Sequence, residues 1–322
     1  MVSGPNGNTR LVSVILLAAA SASGLTGAVG DGQGSGGSSS LEQFQVGATI
    51  VPIPQPPKAD PRKLSLGESL FGDVRLSADS KLSCSSCHDL TSNGAYSHQA
   101  QSRGAALDVP TVFNAALNYR HTWSGSLRDL SEQARASIAD PSGMHSNIED
   151  VVVKLKADRD LDERFLKAYG RHIDSESVLD ALVTFEKSLL TPDSRFDRWL
   201  QGDSTALTLA EVEGYNTFDA VGCSSCHQGV NVGGNLVTRQ GIFAPLVQSG
   251  PRQVRVPSLR NVEATAPYFH DGSAPTLESA VRRMAAAQLD RSLTDNQIAS
   301  VVAFLKTLTG NFRGRPVVRG RP

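Results

Sequence analysis

Two short stretches of this chain constrain it more than any other feature: Cys84-Ser85-Ser86-Cys87-His88 and Cys223-Ser224-Ser225-Cys226-His227. Two thiols three residues apart lie on one turn, where each can add to a vinyl group on the edge of a porphyrin. The histidine that follows carries its imidazole beneath the ring, as the proximal iron ligand. The two motifs use all four cysteines of the chain, leaving none for a disulfide or a thiolate zinc site. The pattern therefore predicts two covalently bound haem c groups, attached at Cys84 and Cys87 and at Cys223 and Cys226. His88 and His227 are their expected iron ligands. A porphyrin is also a large flat apolar surface, which offsets an aromatic content of only 6%.

The chain of 322 residues is long enough for two domains. Its formal net charge of -1 supplies no basic field for nucleic acid. Arg10 precedes an apolar run, Leu11 to Ala20, that is too short to span a bilayer. Small residues follow, so residues 1–22 read as a secretory signal with cleavage between 22 and 30. Covalent haem attachment belongs outside the bacterial inner membrane, and a soluble periplasmic protein with no membrane anchor after cleavage is expected. Residues 23–62 are rich first in Gly and Ser and then in Pro, the composition of a linker.

Compact structure is expected from residue 63. Leu66, Leu70 and Phe71 fall at helical spacing just before the first motif. Ser146-Asn147-Ile148-Glu149 reads as a capping box opening a helix toward Lys156. A helix over Leu161 to Tyr169 should turn Phe165 and Leu166 inward. Val178, Leu182, Phe185 and Leu189 make the apolar face of another, over Ser177 to Leu190. Capping boxes at Thr208 and Thr294 open two more, the last with Ile298, Val301, Leu305 and Leu308 facing the core. A haem motif among helices thus occurs twice, with no long strand pattern. The fold class is mainly α: two cytochrome-c-like domains, loop-rich between helices, over residues 63–173 and 174–310. Residues 311–322, basic and broken by Gly and Pro, read as a disordered tail.

A sixth ligand makes a haem an electron carrier, and an open sixth position lets it react. A thioether ligand raises the potential, whereas a second imidazole keeps it lower. Met144 and Met284 are the only methionines after the initiator. Met284 lies in the helix-like stretch Leu277 to Leu289, beyond the second motif. His227 with Met284 is the natural pair for a high-potential haem. The far side of the first haem is left open, or to His98, His121 or His145.

These residues resemble a known family. GCSSCHQGVNVGG, VPSLRNVEATAPYFHDG and LESAVRRM are similar to the C-terminal half of the bacterial dihaem cytochrome c peroxidases. LSCSSCHDL, VPTVFNAALNYRHTWSGS and LSEQA are similar to the N-terminal half, and TFEKSLLTPDSRFDRWLQGD to the link between them. The resemblance runs from Leu64 to Gly310. It implies two-electron reduction of hydrogen peroxide to water, with electrons from a small periplasmic cytochrome c or copper protein. It assigns Met284 to the sulfur ligand of the electron-accepting haem and Trp123 to the aromatic between the haems. His98 becomes the candidate for a removable ligand of the first haem. A calcium ion between the halves is implied at Asp108 and at the carbonyls of Thr265 and Pro267, with Asp where the family has Asn. Family members are often dimers, which leaves a homodimer open.

The sequence departs from the family near the first haem. Asp140-Pro141-Ser142-Gly143-Met144 places Gly143 where the family carries a proton-moving glutamate. Ser124-Gly125-Ser126 replaces its Asp-Gly-Arg. Cleaving an O–O bond needs a base and an acid at the site, and His145, two residues on, is the expected substitute. Two other readings stay open: a dihaem oxidase acting on a partner protein or another substrate, and a non-catalytic dihaem electron-transfer protein.

Overall fold

The helix leading into each haem motif crosses a second helix at a glycine. In the computed structural model, which describes residues 50–95, 108–247 and 250–320, these are α1 (Pro61–Phe71) and α7 (Leu209–Ala220). A Cβ on Gly67 of α1 would run into the Ala181 carbonyl of α5 (Ser175–Glu186), and one on Gly214 of α7 into the Ser300 carbonyl of α9 (Asp295–Lys306). Only glycine permits backbones so close. Local chemistry starts both helices: the Asp60 side chain accepts from Arg62 N ahead of Pro61, and Thr208 forms a reciprocal capping box with Glu211.

The first core cluster joins Leu66 and Leu70 of α1 with α2 (Leu130–Ala139), α3 (Ile148–Lys156), α4 (Arg159–Tyr169) and α5. The second joins Phe196 of α6 (Arg195–Leu200), Phe218 of α7, Ala285 of α8 (Leu277–Leu289) and Phe304 of α9. Between them Phe71, Phe113, Phe185, Leu189, Ala264 and Val317 pack together. The strands among the described residues are short antiparallel pairs, β1 (Val237–Arg239) with β2 (Gln253–Arg255) and β3 (Asn311–Phe312) with β4 (Arg315–Pro316).

Several expectations need correction. Val178, Leu179, Ala181 and Leu182 of α5 belong to the first core, so a division at residue 174 severs that helix from its packing partners. The cap of α3 is Asn147, whose side chain accepts from Asp150 N, not Ser146. On α4 Phe165 is buried but Leu166 is 42% exposed, because only one of two adjacent positions can face the core. The expected disordered tail forms a β3–β4 hairpin through residue 316: the Phe312 ring packs tilted against Phe113, with centroids 4.8 Å apart, Arg313 pairs with Glu68 at 2.8 Å, and Val317 is buried. The signal segment, most of the linker and His98 lie outside the described residues.

The two halves repeat a finer pattern. Val109-Pro110-Thr111-Val112-Phe113-Asn114 corresponds to Val256-Pro257-Ser258-Leu259-Arg260-Asn261. Asn114 and Asn261 are both 0% exposed with φ of 60°, and each opens a one-turn helix, Ala115–Leu117 and Val262–Ala264. Both send Nδ2 to the same Thr191 hydroxyl, at 2.8 and 2.9 Å. A buried ion pair, Arg260 to Asp197 at 2.7 Å, anchors the incoming chain: Asp197 accepts from Ile53 N, and Arg260 donates to the Val51 carbonyl.

Candidate haem sites

Both motifs fold as the same single turn. His88 N donates to the Cys84 carbonyl at 2.9 Å, and His227 N to the Cys223 carbonyl at 3.0 Å. In the first motif Ser83 and Ser86 cap each other, and Ser85 Oγ donates to the Phe71 carbonyl at 3.0 Å, tying the turn to the end of α1. Each imidazole then meets a carbonyl of the following loop through Nδ1: Gly94 at 2.9 Å for His88 and Val232 at 3.3 Å for His227. A carbonyl can only accept, so Nδ1 carries the proton and Nε2 is left with its lone pair. Burial lowers the pKa of both rings, His227 to about 4, which keeps that lone pair available. This is the tautomer an iron ligand needs.

A cavity of about 260 Å³ opens beside the second motif. Cys223, Cys226 and His227 line it, as does Met284 of α8. An attachment edge, an imidazole and a thioether on one largely apolar cavity fit a haem. Trp123, Asp108, Thr265 and Pro267 line it as well, so the residues expected for the electron route and the calcium ion converge there. Trp123 Nε1 donates to the Asp108 carbonyl at 2.8 Å, and Asp108 N to the His270 carbonyl at 2.8 Å. The Trp123 and His270 rings lie 6.0 Å apart at 57°. These bonds hold the indole at the seam between the halves.

The first motif sits where the first and central clusters meet. Cys84 packs against both, and the Phe71 ring is 6.4 Å from that of His88. Asn93, in the loop after the motif, donates to the Ala264 carbonyl at 2.7 Å and links this site to the second half. His121 is buried in an isolated bridge with Leu127. Burial and then the charge of Arg255 lower its pKa. His145 is exposed and lines a separate groove with Ala139, Asp150 and Lys154, which none of the haem-attachment residues touches. Its Nδ1 meets the Pro141 carbonyl at 3.3 Å.

Sequence reasoning missed two ionisable groups shielded from solvent. Glu186, the last residue of α5, is half-buried, but its Oε2 is shielded with no hydrogen-bond partner among the described residues, and desolvation pushes its carboxyl up to about 7. It faces Cys84, whose thiol is pushed up to about 12 by burial first and by Glu186 next. Arg255, 6% exposed, lines the cavity beside Trp123. The available signal was internal repetition: Arg255 stands in the second half where Asp108 stands in the first, each just before Val-Pro.

No helix among the described residues is long and apolar enough to cross a membrane. A family model for di-haem cytochrome c peroxidase matches residues 61–205, and one for cytochrome c matches residues 211–309. A cytochrome c551 peroxidase of Nitrosomonas europaea is 40% identical over 270 residues, 76% of this chain and 79% of that protein. The cytochrome c peroxidase Ccp of Escherichia coli is 37% identical over 81% of this chain, which spans 61% of that longer protein. A crystal structure of a MauG-like protein associated with microbial copper homeostasis superposes with a TM-score of 0.68 at 26% identity, covering 81% of this chain and 93% of the other. The family carries two covalent haem c groups in a mainly helical fold, as these two sites require, and this chain belongs to it: it is a member of the di-haem cytochrome c peroxidases.

Proposed function

We propose that this chain is a periplasmic peroxidase that reduces hydrogen peroxide to water with electrons from a small cytochrome c or copper protein. The observation that carries the reading is the shared cavity: His227 and Met284 line it together with Trp123 at the seam. When bound, the haems supply electron storage at the second site and peroxide chemistry at the first. Every other contribution comes from the chain. Met284, on the same cavity as His227, would supply the haem a thioether sulfur, which would favour its reduced state. Trp123, held through Asp108 and Arg255, gives an aromatic path between the halves. Asp108 and the carbonyls of Thr265 and Pro267 offer hard oxygens for calcium beside that path. His98 is the proposed removable ligand of the first site. His145, exposed and turned to another groove, is a poor substitute for the glutamate that Gly143 replaces.

The test uses the holoprotein with calcium, reduced by one electron and then mixed with hydrogen peroxide. Peroxide loss and the visible spectrum are followed together. The expected result is rapid peroxide loss with reoxidation of the reduced haem. Unchanged peroxide, with both haems six-coordinate throughout, would overturn the reading. A second reading, oxidation of a partner protein, draws support from Gly143 and from the likeness to the MauG-like protein. It predicts slow peroxide loss that accelerates only when an oxidisable partner is added.

A further inference from the structure

Two buried guanidinium groups line the second cavity, and they differ in how their charge is met. Arg260, 2% exposed, pairs with Asp197 at 2.7 Å and also donates to the Val230 and Val51 carbonyls. Its hydrogen-bonding capacity is nearly filled. Arg255, 6% exposed, makes one side-chain hydrogen bond among the described residues, from Nε to the Thr122 carbonyl at 3.1 Å. No carboxylate lies within ion-pair distance of it among the described residues. Burial brings Arg255 down to about 10, so it stays charged at neutral pH. A buried charge without a counter-ion is costly, and proteins keep one where something absent from the bare chain pairs with it.

The position of Arg255 says what that partner is. Its backbone N donates to the Trp123 carbonyl at 2.8 Å, and its side chain shares the cavity with His227 and Met284. The group this cavity fits is a haem, which carries two propionate carboxylates. A guanidinium fork matches a carboxylate in a bidentate geometry. We infer that Arg255 is the counter-ion of a propionate on the haem held by Cys223, Cys226 and His227. It is a positioning residue that fixes that haem against the Trp123 loop. Its charge also disfavours the more positive ferric state, so Arg255 raises the potential of the electron-accepting haem. The inference rests on the dihaem reading above.

The test is a redox titration of the holoprotein, followed by visible absorbance, for the parent, Arg255→Gln and Arg255→Lys. The parent should show two separate one-electron waves, one at the high potential of a thioether-ligated haem. If it shows no such wave, the dihaem reading of this cavity fails first. Given that wave, Arg255→Gln should shift the reduction equilibrium of the high-potential haem at least tenfold toward ferric, 59 mV for one electron. The low-potential wave should move less. Arg255→Lys keeps a charge on a shorter stem and should restore most of the shift. A merely structural Arg255 would not be rescued in this way. If Arg255→Gln titrates like the parent, or Arg255→Lys falls as far as Arg255→Gln, the inference is wrong while the dihaem reading stands.

Discussion

Asp197→Ala should be among the most damaging single substitutions in the chain. Asp197 and Arg260 are 0% and 2% exposed and meet at 2.7 Å. Breaking a buried pair by deleting one partner costs roughly 3–5 kcal/mol, because the surviving charge is left uncompensated. The same carboxylate accepts from Ile53 N and Ser194 N at 3.2 Å each, and each orphaned donor adds about 1 kcal/mol. These losses overlap, so a total of about 5 kcal/mol is expected. At about 2 °C per kcal/mol for a unit of this size, the thermal midpoint should fall by roughly 10 °C. Far-UV circular dichroism of the holoprotein during heating reads this directly. The companion is Asp197→Ala with Arg260→Met, which removes both charges. It gives up the Arg260 bonds to Val51 and Val230, yet it should recover about 2 kcal/mol of the loss. A midpoint for Asp197→Ala within about 2 °C of the parent would refute the reasoning, as would a double variant no better than the single.

Four shorter predictions follow from other sites. Glu186 keeps its proton in the fold up to about pH 7, whereas the unfolded chain releases it near pH 4.5. The native state therefore binds more protons across that window, and stability falls as pH rises through it. Glu186→Gln should flatten that fall and gain up to about 3 kcal/mol at pH 8, checked by denaturant midpoints from pH 5 to 8. Gly214→Ala should cost about 2 kcal/mol, because its Cβ meets the Ser300 carbonyl between two tightly crossed helices. Met284→His should lower the potential of the second haem in a redox titration, an imidazole having replaced the thioether. Calcium added after chelation should restore peroxide turnover in the parent but not in Asp108→Ala, measured as the initial rate of peroxide loss.

Legibility in the sequence followed the range of the interaction that fixed each element. Capping boxes at Thr208 and Thr294 are contained within four residues, and both helices begin where those boxes place them. The faces carrying Val178, Leu182 and Phe185, and Ile298, Val301 and Leu305, follow from helical period alone, and all six residues are buried. The haem motifs are equally local, five residues each. What escaped depends on partners far along the chain. The helix bearing Val178 joins the first core because Gly67 lets α1 lie against Ala181, a contact with no trace in the spacing of either segment. The last residues looked solvated by composition, yet Phe312 reaches Phe113 across the fold. Arg255 and Glu186 drew no expectation from the sequence, because only the packing around them shields their charges.

Thr191 makes the two halves depend on one another. Its hydroxyl accepts from Asn114 of one repeat and Asn261 of the other, and its backbone N–H donates to Asn114 Oδ1 at 2.8 Å. One side chain of the connecting segment thus serves both asparagines. Either half cut away from this segment would bury an amide with nothing to receive it. Neither half can therefore be lifted out as a self-sufficient module unless it is given an acceptor of its own.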